Sequence, residues 1–461
     1  MESAPLSLKF VIVGGSVAGL TSGYILRRAG HEVVILEKSD GKTKAGGSLR
    51  CPPNMTRILN EFPGMEALLR SQGTQCSGYG FTRADTLERI GFMKFHDEIM
   101  TELRAHFLVV QYDDLYSHLT SLCSGAGAVI KYESRVVDIK AAGGSTTVVL
   151  EDGSALSPDI VVAADGHNSI VRTIVAKDAE EDLESTHAVA GINISVPTEV
   201  IEQDPDLKSL CNYTELSIWM GSGSSVVGTL DKNAELFNFS LCCPESLGIC
   251  ESDWDEIRAK KRPLPFDLSG YDTRLQKLIN MGSTCYPTVH QLHVQHEAVG
   301  LDGTVVLVGD AAHSILIHGS HNSAMAIEDA ATLGRLFSRI STRNQIPMLL
   351  NAYQEIRHPR TKLMQEEEYQ ALSELSMQFG PVSEARDAAL RPSLTMSFED
   401  FQKAGSDNAL VQIWEQYLVH FAYNAAEEVD NWWSMWGNSV VESKLAEDIK
   451  AVTIELETTV L

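Results

Sequence analysis

Positive charge is scarce in this chain. Lysine and arginine number 37 against 62 aspartate and glutamate residues, so the formal net charge at pH 7 is −25. A surface this acidic repels nucleic acid and anionic membranes, which disfavours functions that depend on basic patches. The tightest basic cluster, Lys260 to Arg262, is short and is typical of a solvated turn. We therefore expect neither a nucleic-acid partner nor a membrane partner.

Long apolar runs and paired cysteine motifs are also missing. No run approaches the ~20 apolar residues that a membrane-spanning helix needs. The eight cysteines include no Cys-x-x-Cys pair, which suits free thiols in a reducing compartment. The N-terminus lacks the basic region and the cleavage site of a signal peptide. We expect a soluble, cytoplasmic protein that is a monomer or a homodimer.

Apolar material is plentiful, at 44% hydrophobic residues, so the chain can bury a large core. Its 461 residues are about three times the ~150-residue prior for one domain, which predicts several domains. Over residues 187–243, short β-rich segments alternate with turns, as in an antiparallel sheet. The pattern after about Pro381 is mostly helical, and Trp432, Trp433 and Trp436 suggest that this segment packs onto the rest.

The N-terminal segment has the pattern of a βαβ unit that binds a dinucleotide. An apolar strand leads into a glycine turn with Gly14, Ser16 and Gly19 at the spacing of the dinucleotide fingerprint. A helix is predicted from Val17 to Arg28, and free amides at its start can bind a pyrophosphate. Glu37 follows at the end of the next strand, near the spacing of an acid that bonds a ribose hydroxyl. The predicted binding residues of this segment are Gly14, Gly15, Ser16, Ala18, Gly19, Glu37 and Lys38.

Two later strands end in acidic turns. The first ends at Asp165-Gly166, and taken alone it favours a strand-to-turn junction with an aspartate cap. The second ends at Gly309-Asp310 and precedes a helix predicted from about Ser323. Because α/β sheets bind ligands at the carboxyl ends of their strands, an acid there can bond a sugar-like hydroxyl. Three such strand ends in order predict one shared cofactor site.

The order of these three segments resembles that of single-component FAD-dependent aromatic hydroxylases, of the hydroxybenzoate and salicylate hydroxylase type. The similarity covers roughly residues 8–360, and the stretch GDAAH with AIEDA is its most specific part. The Gly-x-His form at residues 319–321 resembles a fungal branch of these enzymes. The resemblance implies an α/β fold with a Rossmann-like FAD-binding domain, a β-sheet substrate domain and a mostly helical C-terminal segment.

The resemblance also implies roles for individual residues. The glycine turn and Glu37 hold the ADP half of non-covalent FAD. The segment Asp165-Gly166 serves both FAD and NADH or NADPH. Gly309-Asp310 contacts the ribityl chain, with Ser323 opening the helix behind it. The segment AGGSLRCPPN resembles the loop along the flavin, which places Arg50 near flavin or substrate.

Four positions depart from the pattern of that family. Ser16 stands where the fingerprint has glycine, and Tyr112 falls where the family usually has an arginine that contacts FAD. Ile317 replaces the proline after GDAAH. The glycine-rich turn before AIEDA reads Gly319-Ser320-His321-Asn322. The arginine contact with FAD that the family makes is therefore not implied for Tyr112.

Histidines are the candidate acid–base residues. His318 and His321 fall where the flavin ring edge is expected, and either can take a phenol proton since its pKa lies near neutrality. Simple polar lining of the pocket is the alternative for both. His290, His293 and His296 have a spacing seen in zinc sites, but the sequence around them disfavours a helix, so we expect no metal. Arg50 is a candidate for binding a substrate carboxylate.

These features together predict an FAD-dependent monooxygenase that uses NAD(P)H and dioxygen to hydroxylate a phenolic substrate. A hydroxybenzoate- or salicylate-like acid, with decarboxylation, is one candidate. A neutral polyketide or indole and a non-catalytic nucleotide-binding scaffold are the alternatives. The predicted boundaries are 1–75, 100–180 and 285–375 for the FAD-binding domain, 76–99 and 181–284 for the substrate-binding sheet domain, and 376–461 for the helical segment.

Overall fold

The computed structural model describes residues 3–42, 47–142, 145–179, 185–243, 267–282, 284–293, 297–301, 303–315, 319–405 and 408–438. The strands in these ranges are β1 (Lys9–Val13), β2 (Glu32–Leu36), β3 (Ser48–Cys51), β4 (Thr74–Gln75), β5 (Gly78–Arg83), β6 (Arg89–Lys94), β7 (Leu108–Gln111), β8 (Val129–Lys131), β9 (Val136–Ala142), β10 (Ser145–Leu150), β11 (Ala155–Leu156), β12 (Ile160–Ala163), β13 (Ser185–Pro197), β14 (Leu216–Met220), β15 (Ser225–Asp231), β16 (Leu236–Cys243), β17 (Thr284–His293), β18 (Val299–Gly300) and β19 (Val305–Leu307). The helices are α1 (Val17–Arg28), α2 (Pro53–Asn60), α3 (Met65–Gln72), α4 (Asp97–Glu102), α5 (Tyr112–Gly125), α6 (Ile170–Asp178), α7 (Thr198–Glu202), α8 (Thr273–Met281), α9 (Asn322–Phe337), α10 (Ile346–Leu375), α11 (Pro381–Leu390), α12 (Phe398–Lys403), α13 (Ala409–Ala422) and α14 (425–438).

One of the two large sheets is parallel and has the strand order β18-β19-β12-β1-β2-β8. Only the short edge strand β18 runs antiparallel to its neighbour. Its central strands are almost wholly apolar because both faces are covered, and β12 is buried at all four positions. This is the predicted Rossmann-like α/β arrangement, and the predicted fold class is confirmed.

A second sheet of seven strands has the order β17-β13-β16-β15-β14-β5-β6. Its neighbours are antiparallel except for the parallel pair β14 and β5. Alternating apolar side chains from this sheet, with Trp219 and Phe237 among them, pack into a core of their own. The strand β17 pairs with β13, which favours moving the proposed boundary at residue 285 to a point after this strand. The other domain boundaries remain proposals.

Helices α1 and α9 pack closely against each other. A Cβ atom on Gly334 would lie only 2.0 Å from Cγ2 of Ile25, so no side chain fits between the helices at this point. At the start of the same interface, a Cβ on Gly309 would lie 3.0 Å from Cβ of Ala18. The two helices therefore touch directly at Gly334, and Gly309, in the turn after β19, lies between Ala18 of α1 and Ala326 of α9.

Helices α11 to α14 cover one side of the molecule, in agreement with the helical pattern of the C-terminal sequence. Trp432 and Trp433 pack against the core of the first sheet, as expected. Trp436 is 54% exposed, so this tryptophan contributes little to that packing. In the part of the chain that the structure describes, no helix combines the length and apolar character that crossing a membrane requires.

Candidate active site

The site lies where the chain reverses its direction across the parallel sheet. From β1 the chain proceeds to β2 on one side, whereas β12 and β19 lie on the other side. The crevice at the carboxyl ends of β1 and β12 is the position where open α/β sheets bind their ligands. All three segments singled out in the sequence begin at the carboxyl end of β1, β12 or β19.

The glycine turn is packed directly against the neighbouring strand end. Gly14 has φ +100°, and a Cβ there would lie 2.3 Å from the carbonyl oxygen of Ala164. A Cβ on Gly19 would lie 1.9 Å from the carbonyl oxygen of Gly14. Both positions therefore exclude any side chain. Ser16 precedes α1 without capping it through its side chain, so the first amides of the helix are free to bind a ligand.

Glu37 is fixed beside the glycine turn. Its Oε2 accepts a hydrogen bond from the backbone N–H of Gly15 at 2.7 Å, and its Oε1 accepts one from Ser39 N–H at 2.8 Å. Each carboxylate oxygen has a second lone pair, so both can still accept from a hydroxyl group. Lys38, also predicted as a binding residue, is exposed next to it.

Asp165 makes local contacts in the turn after β12. It accepts hydrogen bonds from the Ser169 hydroxyl at 2.6 Å and from Val171 N–H at 3.3 Å. Ser169 caps α6, and Asp165 bonds both this cap residue and the first turn of the helix, which is close to the structural alternative that the sequence left open. Burial raises the pKa of Asp165. Gly166 has φ +79° and open space where a Cβ would project, so a ligand can approach its backbone.

Arg172 joins the second acidic turn to the third. Its guanidinium donates to the carbonyl oxygen of His167 at 2.5 Å and to that of Asp310 at 3.1 Å. The Asp310 side chain accepts a hydrogen bond from Asn322 Nδ2 at 2.8 Å, and burial raises its pKa. Asp310 and the start of α9, including Ser323, therefore form one unit at the crevice.

Residues 319–321 fall where the sequence predicts the edge of the flavin ring, and they are here called the ring-end loop. Glu368 of α10 holds this loop in place. Glu368 Oε1 accepts hydrogen bonds from Ser320 N–H at 3.0 Å and from Nδ1 of His321 at 2.9 Å. A Cβ on Gly319 would lie 2.2 Å from Glu368 Oε2, so the glycine makes room for the carboxylate. Sequence analysis missed Glu368, and no motif around it distinguishes it from its acidic neighbours.

Arg50 also contacts the ring-end loop. Its Nη1 donates to the carbonyl oxygen of Gly319 at 3.2 Å. Burial lowers the pKa of the guanidinium, and the neighbouring groups Cys242 and Glu368 oppose this shift. The structure thus brings Arg50 and His321 together around one loop, whereas His318 and Ile317 lie outside the described residues.

His321 has one ring nitrogen bound and the other without a partner. Its Nδ1 is bonded to Glu368, while its Nε2 is buried and has no hydrogen-bond partner among the described residues. The ring lies 5.6 Å from that of His420 and 6.2 Å from that of Phe421, both on α13. A buried nitrogen with no partner is costly, so it marks a position at which a ligand can bind.

A cluster of buried charges lies behind the loop. Arg357 donates from Nε to Asp329 at 2.7 Å and from Nη1 to Glu328 at 2.8 Å. Asp329 also bonds His313 at 2.6 Å, and although burial acts to raise its pKa, His313 and Arg357 together lower it. Arg360 links Glu328 to His420 of α13. His313, the histidine of GDAAH, thus belongs to the hydrogen-bonded network of this cluster.

Metal ligation finds no support in the described residues, where no group of three or more His, Cys, Asp or Glu side chains is arranged to hold an ion. His290 and His293 lie on strand β17, and His296 is outside the described residues.

Comparison with known proteins decides the family. The family profile described as "FAD binding domain" matches residues 7–233 and 291–368, which is more than half of the chain. The chain belongs to this FAD-binding family. The resemblance to FAD-dependent aromatic hydroxylases noted in the sequence is thereby confirmed.

Named relatives of this FAD-binding protein are oxygenases. The FAD-dependent monooxygenase atnJ of Arthrinium sp is 27% identical over 429 residues, covering 91% of this chain and 96% of the relative. Hispidin-3-hydroxylase of Neonothopanus nambi is 26% identical over 392 residues, covering 80% and 90%. A salicylate hydroxylase substrate complex superposes with a TM-score of 0.69 at 18% identity, covering 92% of this chain and 97% of that one, which shows a shared fold.

The residues of the crevice fit FAD. The uncapped amides of α1 suit a diphosphate, the fixed carboxylate of Glu37 suits a ribose, and Asp310 lies at the end of β19 where the chain of the cofactor would pass. Ser16 and Tyr112 are the two differences from the family pattern that lie nearest the glycine turn. Their hydroxyl groups contact each other. The roles of the individual residues remain proposals.

Proposed function

We propose that this FAD-binding monooxygenase family member hydroxylates a phenolic substrate. The substrate reacts with dioxygen, NADH or NADPH and a proton. One aromatic C–H bond of the substrate becomes a C–OH group with one oxygen atom of dioxygen, the other oxygen atom becomes water, and the nicotinamide nucleotide is oxidised. The observation that carries the proposal is the convergence of the glycine turn, Asp165-Gly166 and Gly309-Asp310 on one crevice. When bound, FAD supplies the redox chemistry of hydride acceptance and oxygen transfer, so the protein needs no nucleophile of its own.

The residues of the crevice bind and orient the cofactor. The α1 amides and the glycine turn hold the phosphates, Glu37 holds the adenosine ribose, and Asp310 holds the ribityl chain. Asp165-Gly166 adds a surface for FAD and for the nicotinamide nucleotide, because Gly166 leaves its backbone accessible. We propose that FAD is bound non-covalently, as in the aromatic hydroxylases that the chain resembles.

His321 is our candidate for the proton acceptor. The hydrogen bond from Nδ1 to Glu368 fixes the tautomer, which leaves the lone pair on Nε2. A phenol that loses its proton to Nε2 becomes a phenolate, and this is the electron-rich ring that oxygen transfer needs. Glu368 is then a positioning residue, since it acts through the imidazole.

The surroundings of Arg50 favour a neutral phenol over an aromatic acid. Its Nη1 donates to the Gly319 carbonyl, and Glu368 lies close to the guanidinium. A substrate carboxylate at Arg50 would lie near the carboxylate of Glu368, and this like charge disfavours an acid there. We therefore place a neutral secondary metabolite first and a salicylate-like acid, with decarboxylation, second.

The decisive experiment measures NADH and NADPH oxidation by the yellow protein with a panel of phenols, in ¹⁸O₂, followed by product masses. Incorporation of one labelled oxygen into a phenol supports the proposal. A colourless purified protein that cannot be reconstituted with FAD contradicts it and favours a nucleotide-binding scaffold. Arg50→Lys separates the two substrate classes, because it should raise KM for an acid more than for a neutral phenol only if Arg50 binds the carboxylate.

A further inference from the structure

Two positions at which this chain departs from the FAD fingerprint touch each other. The Ser16 hydroxyl and the Tyr112 hydroxyl lie 3.0 Å apart, although 96 residues separate them in the sequence. Ser16 precedes the first turn of α1, and Tyr112 is the first residue of α5. The serine replaces a glycine and the tyrosine replaces an arginine, and their contact indicates that the two replacements act together.

Tyr112 is held in this position from two sides. Its backbone N–H donates to the carbonyl oxygen of Gly47 at 2.9 Å. Its ring stacks on that of Tyr116, one turn further along α5, with centroids 5.8 Å apart and planes at 21°. The phenol oxygen is thereby directed toward the glycine turn before any ligand binds.

Among the described residues, the Ser16–Tyr112 pair has one hydrogen-bond donor left over. Two hydroxyl groups carry two protons, and the bond between them uses one. The Ser16 side chain makes no capping bond to α1, so its group is not occupied by the helix. The remaining O–H lies beside the first amides of α1, and together they offer an anion several neutral donors.

The charges that act on Tyr112 are negative. Burial raises the pKa of the phenol, the bond to Ser16 opposes this, and the carboxylates of Glu37 and Asp113 raise it further. The phenol is therefore protonated at neutral pH and acts as a donor. An arginine at this position would instead be a full cation, attracted both by the same two carboxylates and by the phosphates of FAD.

We propose that the Ser16–Tyr112 hydroxyl pair is an uncharged binding site for the FAD diphosphate, in place of the ion pair that an arginine would provide. This rests on the proposed function in that FAD must be the ligand. The consequence is that this contact contributes no phosphate–cation attraction to FAD affinity. Because the protein carries a net charge of −25 and FAD is anionic, salt should screen a repulsion rather than weaken binding.

The test titrates apoprotein with FAD and follows the quenching of flavin fluorescence between about 50 and 500 mM KCl. Wild-type affinity should not fall as salt rises. Tyr112→Phe and Ser16→Ala should each weaken FAD binding about 3- to 10-fold, as expected for one neutral hydrogen bond. The double variant should lose less than the product of the two factors, since the hydroxyls act as a unit. Tyr112→Arg should introduce binding that weakens with salt.

Tyr213→Phe and Ser121→Ala are matched controls, since both remove exposed hydroxyls away from the turn and should leave FAD affinity unchanged. Thermal unfolding of the apoproteins separates binding from folding, because a purely structural pair would lower the melting temperature without changing FAD affinity. The inference is overturned if Tyr112→Phe binds FAD as tightly as the wild type does. It is also overturned if FAD binding by the wild type weakens with salt as steeply as binding by Tyr112→Arg. Neither result would contradict FAD binding itself. Absence of FAD binding in every protein, wild type included, refutes the proposed function instead.

Discussion

The glycine turn and the ring-end loop, which we assign to opposite ends of the cofactor, are built in different ways. At the glycine turn, one backbone segment packs against another, since Gly14 lies against the Ala164 carbonyl. The groups that can bind a ligand there are backbone amides and the fixed carboxylate of Glu37. At the ring-end loop, side chains from distant helices hold the backbone, with Glu368 of α10 bound to two consecutive residues. The first region depends on the absence of side chains, and the second on charged ones.

The difference shows where each region is vulnerable. The glycine turn needs space against the strand end at Ala164, so it tolerates no added atom. The helices that flank the ring-end loop, α9 and α10, share the buried charges of Arg357, Glu328 and Asp329, which stabilise the fold only as long as every charge keeps its partner. The following predictions test this contrast, from the largest expected effect to the smallest.

Arg357→Met should have the largest effect, because it leaves the carboxylates of Glu328 and Asp329 buried without their main partner. We expect a loss of about 3–5 kcal/mol in the free energy of unfolding. Urea denaturation measures it. Arg391→Met is the control, since its ion pair with Glu88 is exposed and should contribute less than ~1 kcal/mol. Equal losses of unfolding free energy in the two variants would show that the buried cluster stabilises the protein no more than an exposed ion pair does.

Gly14→Ala tests the need for space at the other region. The added Cβ would lie 2.3 Å from a backbone oxygen at a φ of +100°, so both strain and overlap result. We expect the apoprotein to lose roughly 2–4 kcal/mol of stability and to bind FAD poorly. Gly125→Ala, which meets no atom within 4 Å at the end of α5, should leave both properties unchanged or slightly improve stability. A stable, FAD-loaded Gly14→Ala protein would contradict the geometry.

Acid should act on the Rossmann-like region through His31. This histidine is fully buried, and burial lowers its pKa from 6.5 to about 4. The unfolded chain therefore binds a proton below pH 6.5 that the folded protein does not, so stability falls as the pH decreases from about 6.5 to about 4. The full effect is about 3 kcal/mol.

His31→Gln should flatten this part of the pH profile of stability, whereas exposed His106→Gln should not. The measurement is the free energy of unfolding at a series of pH values. A profile of His31→Gln that is parallel to that of the wild type would assign the acid sensitivity to other groups.

Asp310→Ala should affect the cofactor rather than the fold. Loss of a hydrogen bond from a ribityl hydroxyl to a charged acceptor costs about 1.5–3 kcal/mol, or roughly ten- to a hundredfold in FAD affinity. Flavin titration measures this loss, and Asp206→Ala, at an exposed position, is the control. An unchanged dissociation constant in Asp310→Ala would reject the role assigned to this residue.

Local pattern was sufficient to predict the glycine turn. The helix expected from Val17 to Arg28 has those bounds in the structure, and the helix expected from Ser323 begins one residue earlier. Such elements follow from periodicity and from glycine at positions that exclude a side chain. The partners of the ring-end loop could not be predicted in this way, because Glu368 and Tyr79 reach it from 47 and 241 residues away without a motif. The contact between Ser16 and Tyr112 escaped prediction for the same reason.

The close packing of α1 and α9 has a consequence for the choice of nucleotide. Helix α1 begins at the glycine turn and α9 begins at the ring-end loop, and the two helices touch at Gly334 and Ile25, while Gly309 lies between Ala18 and Ala326. Helix packing therefore connects the two ends of the site. On the assignment proposed above, a mononucleotide that lacks the AMP half would reach only one of these ends, so we propose that the fold selects its cofactor by length.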